Sequence, residues 1–177
     1  MINVILIGFM GCGKSTFGKW LADRQQMDFL DTDEFIEKME GIRISEIFAR
    51  KGEAYFRDLE TKTLHMLLGD GDEKEARIQK STVISVGGGL PVREENQRLL
   101  KRLGRVVFLD TSVDELVRRL KGDETRPLLQ GTDLRKKIES LMDERLDIYE
   151  DTADIIVGTD GKTLFEVYEE LMREWGY

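Results

Sequence analysis

The feature that most constrains this sequence is Gly-Phe-Met-Gly-Cys-Gly-Lys-Ser at residues 8–15, which fits the pattern G-x-x-x-x-G-K-S/T. The apolar run Val4–Ile7 before it predicts a buried strand, and the residues after it predict a helix over Lys14–Asp23. Glycines allow backbone N–H groups to converge on phosphates, and the helix N-terminus adds partial positive charge. We expect Lys14 to reach the β- and γ-phosphates and the Ser15 hydroxyl to coordinate Mg²⁺. The motif predicts a nucleoside triphosphate site; the alternative is a glycine-rich turn that binds nothing.

Short apolar runs alternate with longer segments of helical period along the chain. The other predicted strands are Met27–Leu30, Val83–Val86, Val106–Leu109 and Ile155–Val157. The other predicted helices are Asp33–Met39, Ser45–Arg50, Glu53–Leu68, Arg93–Arg102, Ser112–Leu120, Asp133–Tyr149 and Thr163–Glu174, with Asp33, Ser45 and Ser112 as N-caps. This alternation is typical of βαβ units, so the sequence predicts an α/β domain with a parallel sheet flanked by helices. The charged stretch 69–80 predicts a solvated helix end and loop.

Length and charge limit the possible partners. A chain of 177 residues is expected to form one domain, and a formal net charge of −8 disfavours nucleic acid and anionic membrane as partners. No apolar run approaches the roughly 20 residues of a membrane span. Cys12 and His65 are each the only residue of their type, so neither a disulfide nor a cysteine or histidine metal site is expected, and His65 is placed on a helix surface. We expect a cytoplasmic monomer.

Polar residues follow the second and third predicted strands, and the carboxyl ends of parallel strands are where ligands bind. Asp31 and Asp33 follow the second strand. Asp31 is a candidate to hold Mg²⁺ through water and Asp33 to accept the proton of an attacking hydroxyl, although a strand end and a helix cap would explain both. Ser85 is a candidate for a second water-mediated metal contact or simply a small polar residue. The glycines at 87–89 would let a ligand lie on the backbone, or form a flexible turn.

Three arginines are further candidates. Arg57, Arg126 and Arg145 each suit a solvated surface position when taken singly. Arg126, however, lies in a predicted loop with Gly122, Asp123 and Pro127. Such a loop could close over the phosphates and supply an arginine to the transition state.

Taken together, these segments resemble the shikimate kinase family along nearly the whole chain. The resemblance is carried by Gly-Phe-Met-Gly-Cys-Gly-Lys-Ser-Thr, Leu-Asp-Thr-Asp, Ile-Phe-Ala-Arg-Lys-Gly-Glu-Ala-Tyr-Phe-Arg, Gly-Gly-Gly, Arg-Pro-Leu-Leu and the segment 145–149. It implies a P-loop, nucleoside-monophosphate-kinase-like fold with a five-stranded parallel sheet, a substrate-binding helical segment at about 33–61 and a lid at about 121–132. It also implies ATP- and Mg²⁺-dependent phosphorylation of the 3-hydroxyl of shikimate, a step towards chorismate and the aromatic amino acids.

The resemblance also implies a role for each matched residue. The ATP-binding residues would be Gly11, Cys12, Gly13, Lys14, Ser15, Thr16, Arg119 and Arg126, with Arg119 stacked on adenine. The residues around shikimate would be Asp33, Arg57, Gly87, Gly88, Gly89 and Arg145, with Phe48, Phe56 and Glu60 lining or bracing the pocket. The metal residues would be Ser15 directly and Asp31 and Ser85 through water. Lys14, Asp33 and Arg126 would be catalytic.

The chain departs from the family pattern in two places. It has Thr163-Leu164-Phe165 where the family often carries a proline before the last helix, near the adenine. The charged stretch 69–80 is longer than expected. A kinase for another small acceptor, such as gluconate or a nucleoside monophosphate, would share the fold, and a non-catalytic nucleotide switch is the alternative from a different class. An Asn-Lys-x-Asp guanine signature, which a GTPase switch would carry, is absent.

Overall fold

A five-stranded parallel sheet forms the centre of the fold. It is seen in a computed structural model that describes residues 2–70, 77–121 and 133–176. The strands are β1 Val4–Ile7, β2 Asp28–Asp31, β3 Thr82–Ser85, β4 Arg105–Asp110 and β5 Ile155–Gly158, in the spatial order β2-β3-β1-β4-β5. All neighbouring pairs are parallel; Val4, for example, lies opposite Val83 on one side and Arg105 on the other. The fully apolar β1 is central and buried along its whole length, so the segment that follows it lies at the middle of the sheet's carboxyl edge.

Seven α-helices of the described residues surround or flank this sheet. They are α1 Lys14–Gln25, α2 Thr32–Glu40, α3 Ile44–Leu68, α4 Glu94–Leu103, α5 Val113–Leu120, α6 Leu134–Thr152 and α7 Leu164–Trp175, with a 3₁₀ turn at Leu90–Val92. The predicted strands and helices are all present, with boundaries shifted by one or two residues at most ends. The two helices predicted on either side of Gly52 form one element whose helical backbone breaks at Gly52, where φ is 84° and ψ is 169°.

The buried side chains form two groups. The main core packs between the sheet and the helices and includes Ile5, Leu6, Val107 and Phe108. A smaller group, called here the second cluster, joins α2 to α3 through Ile36, Ile47, Phe56 and Leu59. Among the described helices, none is long and apolar enough to cross a lipid bilayer.

Of the three predicted N-caps, the structure confirms one. Ser112 caps α5, where its hydroxyl accepts a hydrogen bond from the backbone N–H of Glu115. Ser45 lies inside α3 instead, because the N–H of Ile44 donates to the Glu37 carboxylate at 2.8 Å and α3 therefore begins one residue earlier.

The third predicted cap, Asp33, was also wrong. Asp31 is the N-cap of α2, and its carboxylate accepts hydrogen bonds from the N–H groups of Asp33 and Glu34. Asp33 thus lies in the first turn of the helix rather than at its cap.

His65 lies on a helix surface as predicted, with its side chain 38% exposed beside Asp70 and Glu95. Of the charged stretch 69–80, the part at 71–76 lies outside the described residues. The returning chain packs inward, since the N–H of Ile78 donates to the carbonyl of Leu67.

Candidate active site

The loop between β1 and α1 surrounds the ammonium group of Lys14. Its tight course uses positive φ angles at Gly11 and Gly13, which are 82° and 103°. Lys14 is 8% exposed, and its Nζ donates to the carbonyls of Gly8 and Phe9 at 2.8 and 3.0 Å. A positive charge is therefore held at the N-terminus of α1, where the helix dipole adds to it.

Three oxygen-bearing side chains meet beside this loop. The Ser15 hydroxyl donates to Asp31 Oδ2 at 2.7 Å and lies 3.3 Å from the Ser85 hydroxyl. Asp31 and Ser85 are register partners at the ends of neighbouring strands, which is why residues distant in sequence converge here. The structure thus brings together the three residues that the sequence assigned to a metal. Among the described residues, no cluster of three histidine, cysteine or acidic side chains forms a metal cage.

The motif at residues 8–15, called here the phosphate loop, lines a cleft of about 240 Å³ together with these strand ends. It contains Lys14, Ser15 and Asp33, together with Gly87 and Gly88 from the opposite wall. An anion-binding loop and a candidate proton acceptor therefore face the same space.

The glycines at 87–89, called here the glycine loop, have no positive φ angle but lie very close to neighbouring groups. A Cβ on Gly87 would lie 2.8 Å from Asp33 Oδ1 and 3.0 Å from Glu60 Oε1. A Cβ on Gly89 would lie 2.4 Å from Nη1 of Arg57. A side chain at Gly87 or Gly89 would therefore displace Asp33 or Arg57, so the glycines leave room for charged groups from α2 and α3.

Glu60 is buried at the back of this site. It is 1% exposed, and its Oε2 accepts a hydrogen bond from Nη1 of Arg57 at 2.8 Å. Burial raises the pKa of Glu60 to about 7, assisted by the nearby Asp33 and opposed by the positive charge of Arg57. Two carboxylates share one small volume, and Arg57 is the cation that compensates them.

The two candidate arginines have different surroundings. Arg57 forms two ion pairs, one with Glu60 at 2.8 Å and one with Glu53 at 2.9 Å. Arg145, on α6, is 5% exposed and lies over the ring of Phe9, and its Nη1 has no hydrogen-bond partner among the described residues. A buried guanidinium donor without a partner is costly, which makes Arg145 a candidate receptor for an anion.

Tyr149 lies close to both arginines. Burial raises the pKa of Tyr149 to about 12, while the positive charges of Arg145 and Arg57 act in the opposite direction. Its hydroxyl donates to the carbonyl of Gly88 at 2.6 Å. The tyrosine therefore connects α6 to the glycine loop.

A second cleft, of about 310 Å³, lies on the other side of the phosphate loop. Arg119 reaches into it from α5 and donates to the carbonyl of Cys12 at 2.9 Å. Lys162 and Leu164 line the far wall, and Thr16 belongs to both clefts. Arg119 thus contacts the loop itself rather than standing in solvent.

Sequence reasoning missed several contributors to this site and one prediction falls beyond the structure. Thr32 accepts a hydrogen bond from the N–H of Gly87 at 3.2 Å, and its position between two aspartates was the available signal. Tyr149 and Lys162 received no role.

Phe48 packs against Phe56, 5.1 Å between ring centroids, within the second cluster. Arg126 and positions 122–132 of the predicted lid lie outside the described residues.

Comparison with known proteins gives consistent matches. The sequence model described as Shikimate kinase matches residues 10–175. The shikimate kinase of Persephonella marina is 44% identical over 172 residues, covering 97% of this chain and 98% of the relative.

Solved structures agree with the sequence matches. The shikimate kinase of Acinetobacter baumannii, in complex with shikimate, aligns with a TM-score of 0.88 at 32% identity, covering 98% of this chain and 92% of the other. The shikimate kinase of Aquifex aeolicus aligns with a TM-score of 0.81 at 38% identity, covering 98% and 96%. The predicted P-loop, nucleoside-monophosphate-kinase-like fold with five parallel strands is confirmed.

Proposed function

The chain belongs to the shikimate kinase family, and we propose on that premise that it transfers the terminal phosphoryl group of ATP to the 3-hydroxyl of shikimate. One observation carries the proposal beyond family membership. The buried Arg145 offers Nη1, which has no partner among the described residues, in a site that also holds Arg57 and Asp33 and adjoins the phosphate loop. A small acceptor that has both a carboxylate and hydroxyl groups matches that combination of charges.

The phosphate loop is proposed to bind the triphosphate. Backbone N–H groups of Gly11, Cys12 and Gly13, together with Ser15 and Thr16 at the start of α1, would face the phosphates. Lys14 would neutralise the charge that builds up on the transferring phosphoryl group. Its ammonium is already held at the loop by two carbonyls, so little reorganisation is needed at the moment of transfer.

The meeting of Ser15, Asp31 and Ser85 fits a magnesium ion. Mg²⁺ keeps several waters and takes one or two carboxylates in addition to substrate phosphates, and two hydroxyls with one carboxylate are suitable partners for such a hydrated ion. We assign direct coordination to Ser15 and water-mediated contacts to Asp31 and Ser85. When bound, the ion would offset the negative charge of the triphosphate.

The acceptor is proposed to lie between the glycine loop, including Gly88, and the two arginines. Arg57 and Arg145 would hold its carboxylate, because planar guanidinium groups recognise a carboxylate through paired hydrogen bonds. Asp33 would contact the hydroxyls and receive the proton of the attacking one. Glu60 supports this arrangement by holding Arg57 in place.

Three parts of the proposal rest chiefly on the resemblance. Arg119 would stack on adenine in the cleft beside Lys162 and Leu164, where the family's frequent proline is missing. Arg126 would approach the phosphates from a lid at about 121–132. A cytoplasmic, monomeric enzyme remains a prediction.

A coupled assay for ADP release tests the proposed function. Shikimate, gluconate and several nucleoside monophosphates are offered as acceptors with ATP and Mg²⁺, and the Lys14→Met variant serves as the inactive control. We expect turnover with shikimate to exceed that with the other acceptors by a large factor. Preference for gluconate or a monophosphate would reassign the acceptor, and ATP binding without turnover of any acceptor would support a nucleotide switch.

A further inference from the structure

Tyr149 of α6 contacts both the glycine loop and β4, and it shares a helix face with Arg145. Tyr149 lies four positions after Arg145 on α6, so the two side chains occupy the same helix face. The Tyr149 ring is fully buried and packs against Phe108 of β4, with 5.2 Å between ring centroids. A phenylalanine would fill the same space. The hydroxyl is therefore not explained by packing alone.

The hydroxyl has a definite partner in the glycine loop. It donates to the carbonyl of Gly88 at 2.6 Å, and a Cβ on Gly88 would lie 3.1 Å from the Met10 N and 3.3 Å from the Gly8 O. Gly88 is thus the point where the glycine loop lies directly on the phosphate loop. The other described side-chain contact to this loop backbone is the Thr32 hydroxyl, which accepts from the N–H of Gly87.

The same hydroxyl also lies near the acceptor arginine. The positive charges of Arg145 and Arg57 both favour the ionised form of the Tyr149 phenol. Burial outweighs these effects and raises the pKa of Tyr149 to about 12, so the phenol is protonated at neutral pH, as an ordinary tyrosine would be. The Tyr149 hydroxyl therefore donates to Gly88 and lies on the same face of α6 as Arg145.

We propose that Tyr149 is the positioning residue that fixes Arg145 and the glycine loop against the phosphate loop. This role rests on the proposed function, since it concerns the alignment of shikimate with the triphosphate. Removing the hydroxyl frees the Arg145 fork on one side and leaves a buried carbonyl without its donor on the other. The acceptor should then bind less tightly, while the nucleotide contacts, which come from the phosphate loop, should hardly change.

The test is the Tyr149→Phe variant, which keeps the ring and removes only the hydroxyl. We expect KM for shikimate to rise about tenfold, kcat to fall less, and KM for ATP to stay within about twofold. The matched control is Thr152→Val on the same helix. It removes another buried hydroxyl, which donates to the carbonyl of Ile148 at 2.6 Å, but it lies outside the site. Thr152→Val should lose stability without changing either KM.

A double variant separates positioning from general loss of structure. If the Tyr149 hydroxyl acts through Arg145, combining Tyr149→Phe with Arg145→Lys should raise KM for shikimate by less than the product of the single effects. Three results would each overturn the positioning role. They are fully multiplicative effects in the double variant, an unchanged KM for shikimate in Tyr149→Phe, and equal changes in the KM values for shikimate and ATP in Tyr149→Phe. Absence of shikimate turnover in the wild-type chain would overturn this role and the proposed function together, whereas normal wild-type turnover confines any failure to Tyr149.

Discussion

Arg57 and Arg145 are proposed to share a ligand, yet their surroundings predict opposite effects on the stability of the ligand-free protein. Arg57 compensates the buried Glu60 and is also paired with Glu53. Arg145 has a buried Nη1 without a partner among the described residues. Replacing each with methionine keeps most of the aliphatic stem and removes the charge, so the two variants can be compared directly.

Arg57→Met should destabilise the fold. It leaves the 1% exposed Glu60 without its cation, and breaking a buried pair costs about 3–5 kcal/mol. The lower figure applies because Glu60 can take up a proton. For a chain of this size about 3 kcal/mol corresponds to a fall in Tm of roughly 6–12 °C.

Arg145→Met should leave the stability almost unchanged. It removes an unsatisfied buried donor, a gain of about 1–3 kcal/mol, and loses the cation–π contact with Phe9, a loss of similar size. The net change should stay within about 1 kcal/mol. Both variants should nevertheless weaken shikimate binding about ten- to a hundredfold, since each removes a charge-assisted hydrogen bond.

Urea unfolding at pH 8 and calorimetric titration of shikimate measure the two effects separately. The control is Arg98→Met, which removes the exposed pair with Glu94 on α4 and should change neither quantity. Equal loss of stability in Arg57→Met and Arg145→Met would refute the assignment of Arg145 as an unsatisfied receptor. An unchanged shikimate affinity in Arg145→Met would refute the shared carboxylate site.

Three further predictions concern charged groups of the same site. Lys14→Met should lower kcat at least a hundredfold while the ligand-free protein stays folded, and turnover within about tenfold of wild type in the coupled assay would contradict its role. Asp33→Asn should lower kcat about a hundredfold with little change in KM for ATP, and steady-state kinetics with unaltered kcat would reduce Asp33 to a structural residue. The pKa of Glu60 is raised from 4.5 to about 7 in the folded chain. Between pH 4.5 and about 7 the folded state therefore binds more protons than the unfolded state. The free energy of unfolding should fall by about 3 kcal/mol as the pH rises through this range. Urea unfolding at pH 5 and pH 7.5 should show this fall in the wild type and not in Glu60→Gln. An equal change in the free energy of unfolding in both proteins would exclude Glu60 as the source of the fall.

The sequence predicted the sheet and the phosphate loop because their signals are local. Val4–Ile7 is an apolar run bounded by a glycine motif, and its burial on both faces follows from that composition. The convergence of Asp31 and Ser85 could also be anticipated, since both follow strands of one parallel sheet. Of the two wrong caps, the one at Asp33 lay two residues from the true cap Asp31, whereas the one at Ser45 depended on a contact that no local pattern records. Ser45 was displaced by a carboxylate of the preceding helix, Glu37.

The glycine loop shows the same limit more clearly. From the sequence, three small residues suggested room for a ligand. In the structure the space beside Gly87 and Gly89 is taken by Asp33, Glu60 and Arg57, which arrive from helices distant in sequence. Side-chain packing of this kind depends on tertiary geometry, so a spacing pattern cannot supply it.

The second cluster has a consequence for how the chain reaches its fold. Its four buried residues all lie between Ile36 and Leu59, so α2 and α3 can pack together through contacts of short sequence separation. The central strand, by contrast, must wait for partners as distant as Val83 and Arg105. Loop closure makes such long-range pairing slow. We therefore expect the unit that carries Asp33 and Arg57 to gain protection from amide exchange early in refolding, before the sheet on which it is mounted has closed.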